Sequence, residues 1–199
     1  MRRFIFPLLG IFTFGFIGGC ETASPNSPAA QKAMRDEGKI VLEQMQTQDP
    51  SLTPLLNSSY GYAIFPSIGE GAIGIGGASG EGTVYQNGQR VGTLKMTQGS
   101  IGLQLGGQTF GELIIFQDDK AFNRITNDSL EFGADASAAF VKSGAAAGKS
   151  FANGVQVFVL PKGGLMAGVA VSGQKFHFYP DQVTPTDTTT ATEKPVPAK

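Results

Sequence analysis

Glycine is concentrated in one part of this chain, and its distribution is the strongest constraint on the fold. Of the 28 glycines, 23 lie between Gly61 and Gly173, among many β-branched and aromatic residues. β-branched and aromatic residues favour strands, whereas glycine inside a strand marks a bulge, tight curvature or close backbone approach. The pattern therefore predicts short strands in a mostly antiparallel sheet that is strongly curled and barrel-like.

The individual strands are predicted from composition and alternation. They cover residues 62–65, 72–78, 82–86, 90–97, 100–105, 112–116, 155–160, 165–172 and 175–179. Asn87-Gly88 lies between two of them and is a strong signal for a two-residue hairpin turn.

Helices are predicted before this region and at one point within it. Residues 29–46 place Met34, Gly38, Val41 and Met45 on one stripe at helical spacing, which we expect to pack on the domain itself. Asp49-Pro50-Ser51 predicts a break and the start of a short second helix. Asp118-Asp119 predicts the cap of another. The alanine-rich residues 134–147 are compatible with a helix or an irregular segment. The predicted fold class is α+β, with N-terminal helices packed on the glycine-rich sheet.

The N-terminus predicts a lipoprotein. Arg2 and Arg3 precede an apolar run of about 14 residues, which is shorter than the ~20 residues of a membrane-spanning helix. The run ends in Ile17-Gly18-Gly19-Cys20, which resembles a bacterial lipobox, and Cys20 is the only cysteine of the chain. We therefore expect Cys20 to be acylated and to anchor the protein in the cell envelope, facing the periplasm. Glu21 after the cysteine favours the outer over the inner membrane.

These features predict four parts of the chain. Residues 1–19 are a signal peptide, residues 20–28 a tether, residues 29–180 the folded domain and residues 181–199 a tail. The tail is rich in threonine and proline and has few apolar residues. It is predicted to be disordered because it has too little apolar surface to bury.

The charge of the chain is unevenly distributed. Without the first 19 residues, the chain has 13 basic and 16 acidic residues. This negative balance argues against a nucleic-acid-binding surface. Residues 136–180 nevertheless contain Lys142, Lys149, Lys162 and Lys175 and no acidic residue. These four lysines are the candidate contacts for anionic lipid headgroups, provided that they converge on one face. The alternative is four solvated lysines that point in different directions.

Two glycine motifs resemble nucleotide-binding loops but lack the required context. Residues 69–74 match GxGxxG, yet an alternating strand pattern follows where a dinucleotide site needs a helix. Residues 144–150 resemble a phosphate-binding loop with one residue too few between the glycines. A loose backbone nest with Lys149 remains a possible contact for a phosphate headgroup.

The chain contains few of the residue types that catalytic and metal sites use. His177 is the only histidine, and after Cys20 there is no cysteine, so a zinc site or a catalytic triad is not expected. Asp118 and Asp119 fit a helix cap better than an acid/base pair. We predict no enzymatic activity and no cofactor.

Five stretches in this order resemble the SYLF family of lipid-binding domains. They are residues 60–66 (YGYAIFP), 69–82, 99–108 (GSIGLQLGGQ), 132–137 (FGADAS) and 162–169 (KGGLMAGV). The resemblance implies a non-enzymatic domain that binds membrane lipids; eukaryotic members bind phosphoinositides and some contact actin. One departure is that many relatives carry Trp-Ser-x-Pro where this chain has residues 93–96 (TLKM), and this chain has no tryptophan.

Two functions are thus predicted. The first is an acyl-anchored envelope lipoprotein whose SYLF-like domain binds anionic phospholipid headgroups. The alternative is a structural or protein-binding envelope lipoprotein that holds a partner at a sheet edge or at the first helix. The lipid, the partner and the oligomeric state stay open.

Overall fold

The structure, a computed structural model, describes residues 27–132, 138–148, 150–164 and 171–181. Cys20, Lys149, the predicted signal peptide and residues 182–199 lie outside the described residues, as do residues 165–170 of one predicted strand. The elements in chain order are α1 (Pro28–Gln48), α2 (Leu52–Ser58), β1 (Gly61–Gln86), β2 (Gln89–Phe116), α3 (Asp119–Thr126), β3 (Ala138–Phe140), α4 (Ala145–Gly148), β4 (Val155–Gly164) and β5 (Gln174–Pro180). This order confirms the α+β class.

One long hairpin forms most of the sheet. Six of the predicted strands merge into β1 and β2, which pair antiparallel from Gly61↔Phe116 to Gln86↔Gln89. Bulges between Phe65 and Ile68 and between Ile73 and Ile75 keep the pairing continuous through the glycine-rich stretches. The predicted turn is confirmed, because Asn87 and Gly88 both have the positive φ of a type I′ turn (49° and 77°).

The sheet is open, so the prediction of a strongly curled, barrel-like sheet is not supported. Its strand order is β1-β2-β4-β3, which leaves β1 and β3 as the two ends. The second half of β2 pairs with β4, and the first half pairs with β5. β3 pairs parallel with β4, whereas the other pairings are antiparallel.

Two apolar cores cover opposite faces of the same central strands. The larger core lies between the two halves of the hairpin and includes Phe65, Met96 and Phe176. Phe65 and Phe176 approach to 6.2 Å between ring centroids, although they lie on β1 and β5, which do not pair with each other. The smaller core lies on the other face and includes Ile64 and Leu113. Because the central strands are covered on both faces, their side chains are apolar at successive positions.

The N-terminal helices cover the smaller core. Gly38, Val41 and Met45 of α1 are buried there, which confirms that the predicted stripe packs on the domain. Ser27 caps α1, because its Oγ accepts a hydrogen bond from the Ala30 N–H. Asp118 caps α3 in the same way and accepts from the Ala121 N–H at 2.8 Å, as predicted. Among the described residues, no helix has both the length and the apolar character that crossing a membrane requires.

Some glycines of β1 allow the two halves of the hairpin to pack closely against each other. A Cβ added at Gly82 would lie 2.7 Å from the Ile64 carbonyl oxygen and 2.9 Å from the Phe65 ring. A Cβ at Gly61 would lie 2.6 Å from the Tyr85 carbonyl oxygen. These separations are shorter than van der Waals contact, so the backbones approach this closely only because no side chain is present.

Gly82→Ala is therefore expected to destabilise the fold by about 1–3 kcal/mol, because the backbone of the facing strand cannot move away without disturbing the core. Gly69→Ala on the same strand is the matched control, since an added Cβ there meets no atom within 4 Å. Urea denaturation of both variants checks this. Equal stabilities of the two variants would contradict the close approach.

Candidate functional site

Asp49 joins the end of α1 to the loop before α4. Its side chain is fully buried, and its oxygens accept hydrogen bonds from the Ser51 N–H and hydroxyl and from the Gly144 and Ala146 N–H groups. Burial acts to raise the pKa of Asp49, but the hydrogen bonds from Ser51, Ala146 and Gly144 outweigh it and hold the pKa below its usual value. The carboxylate is thus an internal anion that fixes residues 95 positions or more away in sequence.

The same hydrogen bonds involve the backbone N–H groups of residues 144–150, the segment that resembles a phosphate-binding loop. Its N–H groups at Gly144 and Ala146 point at Asp49, and the Ala147 N–H donates to the Ser51 hydroxyl at 3.2 Å. These donors are therefore occupied from within the protein and are not free to hold a phosphate. The predicted contact between a headgroup and these backbone amides is not available in this conformation.

An open hollow of about 640 Å³ lies on the outer side of this loop. It is bordered by β3, α4 and the start of β4, and its lining includes Phe140, Lys142, Gly144 and Ser150. No acidic residue belongs to its described lining. Phe140 is 45% exposed, which is unusual for a phenylalanine in a strand.

Lys142 and Lys162 extend from neighbouring chain segments. β3 pairs with β4 up to Phe140↔Val159, and the Val141 N–H still donates to the Val159 carbonyl at 2.9 Å. Lys142 follows immediately, while Lys162 lies near the end of β4 at a bulge opposite β2. Both lysines are exposed, and within the described part of the chain neither has a carboxylate at ion-pair distance.

The other two predicted lysines are placed differently. Lys175 lies on β5, opposite Thr97 of β2, and its Nζ is 3.7 Å from the Glu131 carboxylate. It therefore belongs to a part of the sheet that does not pair with β3 or β4. Lys149 is outside the described residues, but its neighbours Gly148 and Ser150 line the hollow. Lys142 and Lys162 thus follow paired residues of β3 and β4, whereas Lys175 lies on β5, away from that pairing.

His177 lies half-exposed at the surface beside a carboxylate. Its Nδ1 lies 2.5 Å from the Asp128 carboxylate, whose other oxygen accepts from the Phe178 N–H at 2.6 Å. Its ring contacts the edge of Tyr179. In the described ranges, no three histidine, cysteine, aspartate or glutamate side chains are grouped as a metal ion would need.

Glu112 is a fully buried carboxyl group inside the larger core. The Gln174 side-chain N–H donates to its Oε2 at 3.0 Å, while Oε1 of Glu112 and Oε1 of Gln174 have no hydrogen-bond partner in the structure. Burial raises the pKa of Glu112 to about 7, against a smaller opposite effect of the Gln174 hydrogen bond. A neutral Glu112 leaves no uncompensated charge in the core, so burial favours the protonated acid.

Sequence reasoning missed Asp49 and Glu112 as important residues. For Glu112 a signal exists, because it interrupts the apolar row formed by Phe110, Ile114 and Phe116 on one face of β2. For Asp49 no local signal exists, since two of its donors come from residues almost half the chain away.

Residues 97–185 match the protein family described as Ysc84: Las17-binding protein actin regulator. The match runs from within β2 to beyond β5, which is somewhat less than half of the chain. It confirms the SYLF resemblance predicted from the motifs, three of which lie wholly within it. No curated protein matched the sequence.

Proposed function

We propose that this chain, whose residues 97–185 carry a Ysc84-type domain, is an acyl-anchored envelope lipoprotein that binds anionic phospholipid headgroups. Acylated Cys20 would hold the protein on the membrane, and the domain would then engage lipids locally. The domain acts by binding and catalyses no reaction.

The observation that carries the proposal is the pair formed by Lys142 and Lys162. Both are exposed at neighbouring ends of β3 and β4, without a carboxylate at ion-pair distance among the described residues. Residues 136–180 contain no acidic residue at all, so nothing in this part of the sequence offsets their charge. A lysine beside an anionic membrane surface contributes about 1 kcal/mol, and two together support selective but moderate binding.

Vesicle co-sedimentation of residues 21–199 tests headgroup binding without the anchor. This fragment keeps all residues of both cores, which lie between residues 41 and 178. We expect it to sediment with anionic vesicles at low salt, to be released at high salt because exposed charges are screened, and not to bind neutral vesicles. Failure to bind either kind of vesicle would overturn the headgroup proposal.

Replacement of single lysines tests which of them bind. Lys142→Gln and Lys162→Gln are each expected to weaken anionic binding by about 1 kcal/mol. Lys175→Gln is the matched control and should have a smaller effect, because Glu131 already lies 3.7 Å from Lys175. Replacing all four predicted lysines, including Lys149, by alanine should abolish the preference for anionic lipid. Equal effects of all single replacements would instead indicate a diffuse electrostatic attraction.

The anchor is tested separately. Intact-mass measurement of the full chain purified from bacterial membranes should show a shortened, acylated polypeptide that begins at Cys20. Cys20→Ser should remove the acyl mass and release the protein from the membrane fraction. An unmodified Cys20 in the membrane fraction would contradict the lipoprotein proposal.

A protein-binding role is the second candidate. It is favoured by the description of the matched family, which names a protein-binding actin regulator, and by β3, an edge strand with no strand partner on its outer side among the described elements. Such an edge can accept an extended segment of another protein. Absence of vesicle binding together with retention of the fold would make this candidate the leading one.

A further inference from the structure

Three large apolar side chains are exposed in the described part of the protein, and they differ in their surroundings. Ile40 is 55% exposed on α1, Phe140 is 45% exposed on β3, and Tyr179 is 49% exposed on β5. An isolated exposed hydrophobic residue requires no explanation, but one that adjoins unpaired positive charge fits a membrane interface.

Only one of the three has surroundings that suit an anionic surface. Ile40 shares its helix surface with Asp36, Glu37 and Glu43, at the spacings that bring side chains together. Tyr179 packs on His177, which is paired with Asp128. These carboxylates would be repelled by anionic headgroups. Phe140, in contrast, adjoins Lys142 in a hollow whose described lining has no acidic residue.

The surface around Phe140 is also held rigidly. Val141, between Phe140 and Lys142, is buried and hydrogen-bonded through its N–H to the Val159 carbonyl. On the other side, Gly144 is fixed by the buried Asp49 carboxylate. Lys142 therefore lies between two anchored points, and Phe140 directly precedes the first of them within the β3–β4 pairing, so little conformational freedom is lost when they meet a ligand.

We propose that this β3 end, defined by Phe140, Lys142 and the hollow beside them, is the face that meets the bilayer. Phe140 inserts into the lipid interface and Lys142 contacts an anionic phosphate. The inference rests on the proposed headgroup binding and adds to it an orientation and an apolar contact. The apolar contact would add to the attraction between Lys142 and an anionic surface, which the net negative charge of the protein opposes.

The chain has no tryptophan, so one introduced tryptophan reports on its own position without background. The experiment uses three variants of the full chain, Phe140→Trp, Ile40→Trp and Tyr179→Trp. Each is expressed in bacteria and purified from the membrane fraction in its processed form. Each variant is reconstituted on neutral vesicles and on vesicles rich in phosphatidylglycerol. Emission wavelength and quenching by brominated acyl chains measure the depth of each side chain.

We expect only Phe140→Trp to shift to shorter wavelength and to be quenched, and only on anionic vesicles. The tryptophan of Ile40→Trp and that of Tyr179→Trp should emit at the wavelength of a water-exposed indole on both kinds of vesicle. Quenching of the tryptophan at position 40 or 179 instead would overturn the proposed orientation. Water-like emission from position 140 on vesicles that the protein prefers would overturn the inference while leaving headgroup binding intact, whereas no preference for anionic vesicles would overturn the proposed function itself.

Loss-of-contact variants separate the two parts of the surface. Phe140→Ala is expected to lower binding of the fragment to anionic vesicles by roughly tenfold, with the salt dependence unchanged. Lys142→Gln should lower it by roughly fivefold and reduce the salt dependence. Ile40→Ala is the matched control for loss of an exposed apolar side chain and should change nothing. An equal loss in Phe140→Ala and Ile40→Ala would contradict insertion of Phe140.

Discussion

Replacement of Asp49 by alanine is expected to lower the free energy of unfolding by about 3 kcal/mol or more. Four hydrogen bonds to its oxygens would be lost, from two donors of Ser51 and from the Gly144 and Ala146 N–H groups. The Ala146 N–H is buried with its acceptor, so it would be left unsatisfied and would contribute the largest part of the loss. Chemical denaturation at neutral pH measures the effect.

Asp49→Asn tests whether the charge or only the shape is needed. An asparagine amide offers one oxygen instead of two, and its NH₂ group would face a backbone donor, so this variant should also be clearly destabilised. Asp36→Ala is the matched control, because Asp36 is an exposed aspartate whose hydrogen bond comes from Lys32 on the same helix. Similar losses in the Asp36 and Asp49 variants would contradict a special role for Asp49.

The pH dependence has a defined sign for Asp49. Its folded-state pKa lies below the value of the unfolded chain, so its contribution is present at neutral pH and is lost as the pH falls through the folded-state pKa. Asp49→Asn should therefore remove part of the acid sensitivity of the protein. It should also loosen the loop that carries Lys142, because the Gly144 N–H donates to Asp49.

The sequence was sufficient for the local elements. The stripe of α1, the cap at Asp118 and the turn at Asn87-Gly88 depend on residues a few positions apart, and each was predicted correctly. The strand lengths were not, because bulges let β1 and β2 continue through glycine-rich stretches that the prediction had placed between separate short strands. Several β1 glycines lie where another part of the backbone passes closely, as Gly82 does beside Ile64. That contact depends on how the hairpin halves pack, which no local pattern reveals.

The candidate site shows the same division. The lysine-rich segment could be found by counting charges, but which lysines lie together depends on sheet pairing. β4 pairs with the second half of β2 and β5 with the first half, so Lys162 and Lys175 fall on different parts of the sheet. The Glu131 partner of Lys175 is likewise set by the fold. Composition thus identified the lysine-rich segment, whereas strand order determines where each of its lysines lies on the surface.

Glu112 is expected to make the protein less stable as the pH rises from about 4.5 to about 7. Its folded-state pKa is raised to about 7, above the ordinary value of 4.5. Between these values the folded protein holds a proton that the unfolded chain has released, so the free energy of unfolding falls with rising pH by about 3 kcal/mol and then levels off. This direction is opposite to that of Asp49, whose ionised form is the stabilised one.

Glu112→Gln separates this contribution from all other titrating groups. Glutamine resembles the neutral acid, because it carries no charge and its oxygen can accept from the Gln174 side-chain N–H. The variant should match the wild type near about pH 4, below both pKa values, and exceed its stability near about pH 8, which follows from the linkage between ionisation and folding. Glu43→Gln, at an exposed position of α1, should show no such difference. A constant difference between Glu112→Gln and the wild type across this range would mean that Glu112 is already ionised in the folded protein. Its charge would then have to be compensated between the hairpin halves by a group other than Gln174.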